Sequence, residues 1–251
     1  MEISIAAEKL FGFGTFPITN SLLLAVSLSA LLSGAVFVFL RKLEEIPRGV
    51  QNAVEAVFEA LLSLTESVTQ DKAQARRFFP LIATIFLFVL FSNWAGLLPG
   101  GGTVGIHGEH GGNEMVIPFL RSPSADLNMT LALSLISVFS IQFAGIAALG
   151  LRGYASKFFV APWTKPYGIG TAVGFLELIG EFAKILSFSF RLFGNVFAGE
   201  VLLTVMLHLV PYAIPLPFLF LEVFVGVIQA LVFALLTLVF LKMATIGHEG
   251  H

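Results

Sequence analysis

The 251-residue chain is 57% hydrophobic and only 12% charged, with a mean hydropathy of +0.91; an average soluble domain has about 25% charged residues, so both an ordinary soluble globule and a disordered chain are excluded. The net charge of -2 gives nucleic acid no footing, and the absence of Cys removes disulfides, thiolate metal sites and a cysteine nucleophile. What remains is an all-α polytopic membrane protein, long enough for about five or six helices of about 20 residues with their loops.

Residues 1–17 form an N-terminal segment in which Glu2 and Glu8 precede a single Lys, unlike the basic start of a signal or transit peptide. The run Ile18 to Leu40 is the first span (18–41), started by Pro17 and Asn20 and stopped by Arg41 and Lys42. Residues 48–70 repeat Val50, Val54, Val57, Phe58, Leu61 and Val68 at helical spacing, with Glu55, Glu59 and Glu66 on another face. This amphipathic helix is expected at the membrane surface or on a partner helix, and its acids argue against anionic lipid as the main attraction. Residues 78–98 are the second span, entered after Lys72, Arg76 and Arg77 and closed by Pro99. A Gly-rich loop leads to the third span, 126–151, opened by Asp126 and Asn128 and closed by Arg152.

Residues 167–243 differ. Tyr167 to Val210 is mostly apolar over about 44 residues, and as one helix it would be about 65 Å long, twice the hydrocarbon thickness. It must tilt, bend or divide. Leu216 to Met243 is the last run, and the PYAIPLP turn between the two makes a helical hairpin. The whole chain, 1–251, reads as one membrane domain. Lys and Arg set its orientation. With Arg41 facing inward, the inner side holds Arg41, Lys42, Arg48, Lys72, Arg76, Arg77, Arg152, Lys157, Lys165 and Lys242, against Lys9 and Arg121 outside. The N-terminus is therefore expected outside and the C-terminus inside.

Two basic residues remain, Lys184 and Arg191, inside the long fifth run with Glu177, Glu181, Asn195 and Glu200; Glu222 and Gln229 lie in the last run. Intramembrane charges cost about 2.5–3.5 kcal/mol each on insertion scales, so they normally face a cavity, a partner or an ion path. Glu177, Glu181 and Lys184 stand at i, i+4 and i+7 on one helix face, which Arg191 and Asn195 continue. Glu181 and Lys184 can pair locally. Arg191 has no acid at i±3 or i±4, and Glu200, nine residues on, points almost the opposite way. Arg cannot shed its proton on burial. It needs an anion from Glu222, Glu177, Glu181 or Asp126, or from another chain. Ala183, Ser187, Gly194 and Ala198 surround Arg191 as a stripe of small residues, and Gly226, Ala230 and Ala234 repeat the device in the last run. Such stripes let helices approach closely, either each other or a partner.

Weaker signals lead to no site. Gly100, Gly102 and Gly105 match G-x-G-x-x-G but follow an apolar helix with no βαβ unit, so no dinucleotide cofactor is expected. His107, Glu109 and His110, and the tail residues His248 and His251, lack the H-E-x-x-H spacing, so no metal is expected. Asn128-Met-Thr130 has the form of a glycosylation sequon but reads as a polar helix start. His208, near the outer end of the fifth run, can titrate near neutral pH or snorkel to the interface. No Ser-His-Asp or paired-acid pattern suggests a catalytic site of the chain's own.

Ser189-Phe-Arg191-Leu-Phe-Gly194-Asn195-Val-Phe-Ala-Gly199-Glu200 closely resembles the signature of subunit a of the F-type ATP synthase membrane sector. Pro123-Ser-Ala-Asp126-Leu-Asn128-Met-Thr130, Ser92-Asn93-Trp94-Ala-Gly-Leu97-Leu98-Pro99 and Gln229-Ala-Leu-Val-Phe-Ala-Leu-Leu-Thr237 agree in sequence and order. The resemblance extends over essentially the whole chain beyond the N-terminal segment. It implies a proton-conducting stator beside a rotating ring of c subunits, with the peripheral-stalk b subunits and the rest of the ATP synthase as further partners. It implies no cofactor and a multi-pass place in a bacterial inner membrane or an organellar one. Two aqueous half-channels would end at different points on the ring, and the two long runs would form a steeply tilted hairpin along it. Arg191 would face the ring carboxylates, Glu200 and Glu222 would be channel acids, and Asn195 and Gln229 would neighbour the Arg. Ala183, Ser187, Gly194 and Ala198 would face the ring; Glu177, Glu181, Lys184, Asp126, Asn128 and His208 are secondary channel candidates.

One departure matters. Family members often carry a His at one of the two channel positions, whereas this chain has Glu at both 200 and 222, so two nearby acids share titration. The alternative is a secondary transporter with an internal Arg–Glu gate, but such proteins usually show inverted repeats and none is visible. A purely structural membrane anchor leaves Arg191, Glu200, Glu222 and Gln229 unexplained.

Overall fold

The structure, a computed structural model, describes residues 7–13, 16–41, 43–44, 48–98, 105–110, 113–118, 121–155, 169–210 and 215–246. Gly100 and Gly102, the connector with Lys157 and Lys165, the middle of the proline-rich turn, and His248 and His251 lie outside the described residues. So do the side chains of His107, Glu109 and His110.

Among the described residues six α-helices follow one another: α1 (Asn20–Leu40), α2 (Val50–Thr69), α3 (Lys72–Ala95), α4 (Leu127–Ala155), α5 (Ile169–Leu209) and α6 (Pro215–Thr245). All but α2 are long and apolar enough to cross a membrane. Helices satisfy their backbone groups internally, as hydrocarbon requires. Two antiparallel hairpins that the sequence periodicity did not reveal pair β1 (Lys9–Phe13) with β2 (Phe16–Thr19), and β3 (Gly105–His110) with β4 (Asn113–Pro118).

Helix α2 is amphipathic and ends on Gln70 in the left-handed conformation (φ 56°). Its Leu61 is buried, and Phe58 meets Phe79 of α3 edge-on at 6.1 Å. Helix α3 starts six residues ahead of its apolar run, because Asp71 caps it by accepting from the Ala73 amide (2.8 Å). The centre of the fold is α3 against α6, where Ile82, Val89, Ala230, Phe233, Ala234 and Leu238 are almost fully buried. The small stripe of α6 is spent here. A Cβ on Gly226 would lie 3.3 Å from Cβ of Asn93, so the backbones approach closely. Asn93 Nδ2 donates to the Gly226 carbonyl (3.0 Å) and Trp94 Nε1 to the Val223 carbonyl (3.2 Å). Gly226 therefore packs on α3, and Ala230 and Ala234 are fully buried within the helix bundle.

Helix α4 buries Thr130, Ser134, Ser137, Ile141 and Gly145, one small face at helical spacing. Thr130 and Ser189 of α5 share a hydroxyl–hydroxyl bond of 3.0 Å. Asp126 starts the helix: Oδ1 accepts from the Asn128 amide (3.0 Å) and Oδ2 from the Ser21 hydroxyl of α1 (2.6 Å). Gly150 (φ 72°) breaks α4, and the last turn folds back so that the Tyr154 ring occupies the space a Cβ on Gly145 would need.

Helix α5 is one uninterrupted helix of 41 residues, about 62 Å long at 1.5 Å per residue. To stay within about 30 Å of hydrocarbon it must lean well away from the membrane normal. That answers the tilt, bend or divide question in favour of tilt.

Replacing Asp126 by Ala leaves the first α4 amides and the Ser21 hydroxyl unmet, and should lower stability by about 2 kcal/mol. The thermal midpoint of the detergent-purified protein reads this. Ser21→Ala should lose about half as much, and an unchanged midpoint in Asp126→Ala would contradict the link between α1 and α4.

Candidate ion path

Helix α5 has two faces of opposite use. Phe188, Leu192 and Gly199 are buried, with Phe188 between Phe233 (5.1 Å) and Phe240 (5.8 Å) of α6. Ala183, Ser187, Arg191, Gly194 and Ala198 are all exposed on the other face. Arg191 donates from Nη2 to the Ser187 hydroxyl at 3.4 Å, a long contact within the helix. Among the described residues no carboxylate pairs with it. Of the four acids in the chain that could have served, Glu181 is paired with Lys184 (2.8 Å) and Asp126 holds Ser21. Glu222 is packed beside Gly199. Glu177 stands fourteen residues back along α5, about 21 Å away along the axis.

Behind the Arg, α5 and α6 are joined by polar groups. Asn195 Nδ2 donates to Gln229 Oε1 at 2.7 Å, and Gln229 is buried. Further toward the α5–α6 turn, the Glu222 carboxylate fills the space that a side chain at Gly199 would take. Next to Gly199 is Glu200, whose Oε2 is buried without a hydrogen-bond partner among the described residues. Arg121 and Glu8 lie within electrostatic reach of Glu200. Ser92 Oγ, Asn93 Oδ1 and Gln229 Nε2 are likewise buried with unmet hydrogen-bond capacity. An unmet buried polar group costs about 1–3 kcal/mol, and such groups are normally met by ordered water. The three helices α3, α5 and α6 thus carry a polar seam from Glu200 to Gln229.

The other end of α5 is organised differently. Glu181 is buried, and both its oxygens are engaged, one by Lys184 and the other by Gln142 Nε2 of α4 (2.7 Å). Glu177 lies one turn away, half-buried. Lys184 Nζ stands 4.8 Å over the Phe240 ring, a cation–π contact. A cavity of about 230 Å³ runs along α5 from Gly180 and Lys184 past Ser187 to Arg191. Asn128 and His208 are exposed and join neither polar group among the described residues.

Sequence reading missed Gln142, Tyr154 and Arg121. Gln142 had a usable signal, a lone amide within a span. Arg121 was counted as an outer loop charge, yet it is 7% exposed, with Nη2 near the Ala125 carbonyl (3.5 Å).

Five long apolar helices, one with a lone Arg on an open face and carboxylates about three turns to either side, define a multi-pass membrane protein of the ion-translocating class. The chain matches the ATP synthase A chain family over residues 21–242. ATP synthase subunit a of Moorella thermoacetica is 33% identical over 241 residues, 96% of this chain and 97% of that one. The Gloeobacter violaceus protein of that name is 40% identical over 221 residues, 88% and 81% of the two chains. That of Helicobacter pylori is 37% identical over 214 residues, 84% and 83%. The chain belongs to the ATP synthase subunit a family, a component of the F-type ATP synthase membrane sector engaged in ATP synthesis and proton or ion transport.

Because the Glu222 carboxylate sits where a Cβ of residue 199 would be, Gly199→Ala must displace it. The displaced group is the end of a flexible side chain, so the complex should still assemble, while ATP-driven proton pumping in membrane vesicles should fall because the Glu222 carboxylate is moved from its place. A wild-type rate would show that Glu222 is not held there.

Proposed function

We propose that the chain is the proton-conducting stator of the F-type ATP synthase, forming two aqueous half-channels against the rotating c-ring and coupling proton flow to ATP synthesis. The observation that carries this reading is Arg191: a permanent cation on an open face of small residues, with no carboxylate partner among the described residues. A ring carboxylate supplies the anion. Ala183, Ser187, Gly194 and Ala198 let the ring approach. The same observation disfavours an internal Arg–Glu gate, which a secondary transporter would need.

The cycle follows from elementary electrostatics. A protonated ring carboxyl is neutral and turns through lipid; its ionised form does so only at a cost of several kcal/mol. Near Arg191 the ionised form is favoured, so the proton leaves into one half-channel. The fixed cation also repels protons and blocks a direct leak between the channels. Each proton crossing releases about 2.3 kcal/mol per 100 mV. Glu200 and Glu222 serve the outer half-channel, with Asp126, Asn128 and His208 toward its mouth; the buried orphan atoms around Glu200 and Gln229 support water there. Asn195 and Gln229 orient water or the Arg at the ring. Glu177, Glu181 and Lys184 belong to the inner half-channel, supported by the cavity that joins Lys184 to Arg191. The α5–α6 hairpin leans along the ring, the b subunits hold the chain still, and ATP chemistry occurs elsewhere in the complex. The Lys and Arg distribution supports a single membrane domain in a bacterial inner membrane, N-terminus outside and C-terminus in the cytoplasm.

In vesicles carrying the whole complex, Arg191→Ala should abolish gradient-driven ATP synthesis while assembly survives. Cys placed at Gly194 or Ala198 should cross-link to Cys on the ring. Full synthesis in Arg191→Ala, or no cross-link at either position, would overturn the stator reading.

A further inference from the structure

Two helices, α4 and α5, bring their polar side chains together at Glu181. Lys184 Nζ meets Oε1 (2.8 Å) and Gln142 Nε2 of α4 meets Oε2 (2.7 Å). Gln142 is itself held, because the Tyr154 hydroxyl donates to its Oε1. Two glycines make that contact possible. Gly150 breaks α4 and turns its last residues back. Gly145 leaves open the space the Tyr154 ring fills, and Tyr154 is 5% exposed there. A side-chain amide can turn over within nearly the same volume. With the hydroxyl bound to Oε1, the NH₂ end is the one left to face the carboxylate. The carboxylate can only accept, so it takes the NH₂ end, and the Tyr154 hydroxyl, which can donate, holds the remaining Oε1 in place. Lys184 stands seven residues from Arg191 on the same cavity, about 10 Å along the helix.

We propose that Gln142 and Tyr154 are positioning residues for the inner half of the proton path: they fix the rotamer of Glu181 and, through it, hold Lys184 at the wall of the cavity that Arg191 lines. The proposal rests on the stator reading. The groups that face Glu181 are Lys184 and Glu177 on α5 and Gln142 and Tyr154 on α4. Helix α6 brings Phe240, its Lys242 being bound to the Val68 carbonyl of α2 (2.8 Å). With the clamp intact, protons pass a set cation. Without it, the Glu181 carboxylate can turn into the cavity and bind them in transit, so transport acquires a different dependence on inner-side pH.

The test uses vesicles with the whole complex, assayed for ATP-driven proton pumping across a range of inner-side pH, with Arg191→Ala in parallel. Tyr154→Phe keeps the ring over Gly145 and removes only the hydroxyl; Gln142→Leu removes the donor to Glu181. Both should leave assembly unchanged, lower pumping about fivefold and displace the pH profile. If Arg191→Ala is silent while both clamp variants keep the wild-type rate and profile, the clamp is overturned and the stator reading stands. If Arg191→Ala also pumps, the stator reading itself fails. Should Gln142→Leu reduce assembly, Tyr154→Phe decides alone, and loss of assembly there too would make the role structural and overturn the proposal.

Discussion

Arg191 has no way to lower the energy of its own burial. A Lys could lose its proton, and a carboxylate could gain one, but a guanidinium keeps its charge at any pH a cell meets. Placed midway along a helix built for hydrocarbon, it requires an anion. Among the described residues the acids are engaged or remote: Glu181 with Lys184, Asp126 with Ser21, Glu222 beside Gly199. The rest of the fold is arranged so that this demand stays open. Helix α5 buries Phe188, Ser189 and Leu192 against its neighbours, which anchors it, and leaves the Arg face with only small side chains around the charge. A helix with bulky residues in that stripe would cover the guanidinium itself.

Helix α6 makes the arrangement rigid from behind. Asn93 and Trp94 each donate to an α6 carbonyl, at Gly226 and Val223, so α3 holds α6 by its backbone close to Glu222. Side-chain changes elsewhere on α6 cannot loosen such bonds. The aromatic contacts of Phe188 with Phe233 and Phe240 fix α5 on the same surface. Asn195 and Gln229 then meet across the pair one turn beyond the Arg. The charge is thereby held in one position on the open face of α5.

Much of this was readable from residue order, for a physical reason. In hydrocarbon each charged side chain is an expense of several kcal/mol, so the few that persist stand out against the apolar background. Glu177, Glu181, Lys184, Arg191 and Glu200 were visible that way, and the length of the fifth run already demanded a tilt. Spacing also found the exposed stripe around Arg191. It could not assign the second stripe, because Gly226, Ala230 and Ala234 have the same pattern whether they pack on α3 or on a partner. The contacts that depend on a backbone break were invisible. Nothing in periodicity says that Gly150 folds Tyr154 back onto Gly145, or that Arg121 turns inward. The two hairpins show no clean alternation either: β1 (KLFGF) and β2 (FPIT) are short and mostly apolar, and β3 (GIHGEH) is rich in Gly and polar residues.

The two ends of α5 handle their carboxylates in opposite ways. At one end Glu181 receives a donor on each oxygen from protein groups. At the other, Glu200 keeps a buried oxygen with no donor among the described residues, and Gln229 and Asn93 likewise have unmet atoms on the same seam. A carboxylate saturated by protein donors has little capacity left for a travelling proton. One whose remaining capacity can be met only by water is coupled to whatever the water carries. Among the described residues, the saturated carboxylate and the one with an unmet oxygen thus lie toward opposite ends of a single helix, with Arg191 between them. That separation needs no moving part within the chain itself.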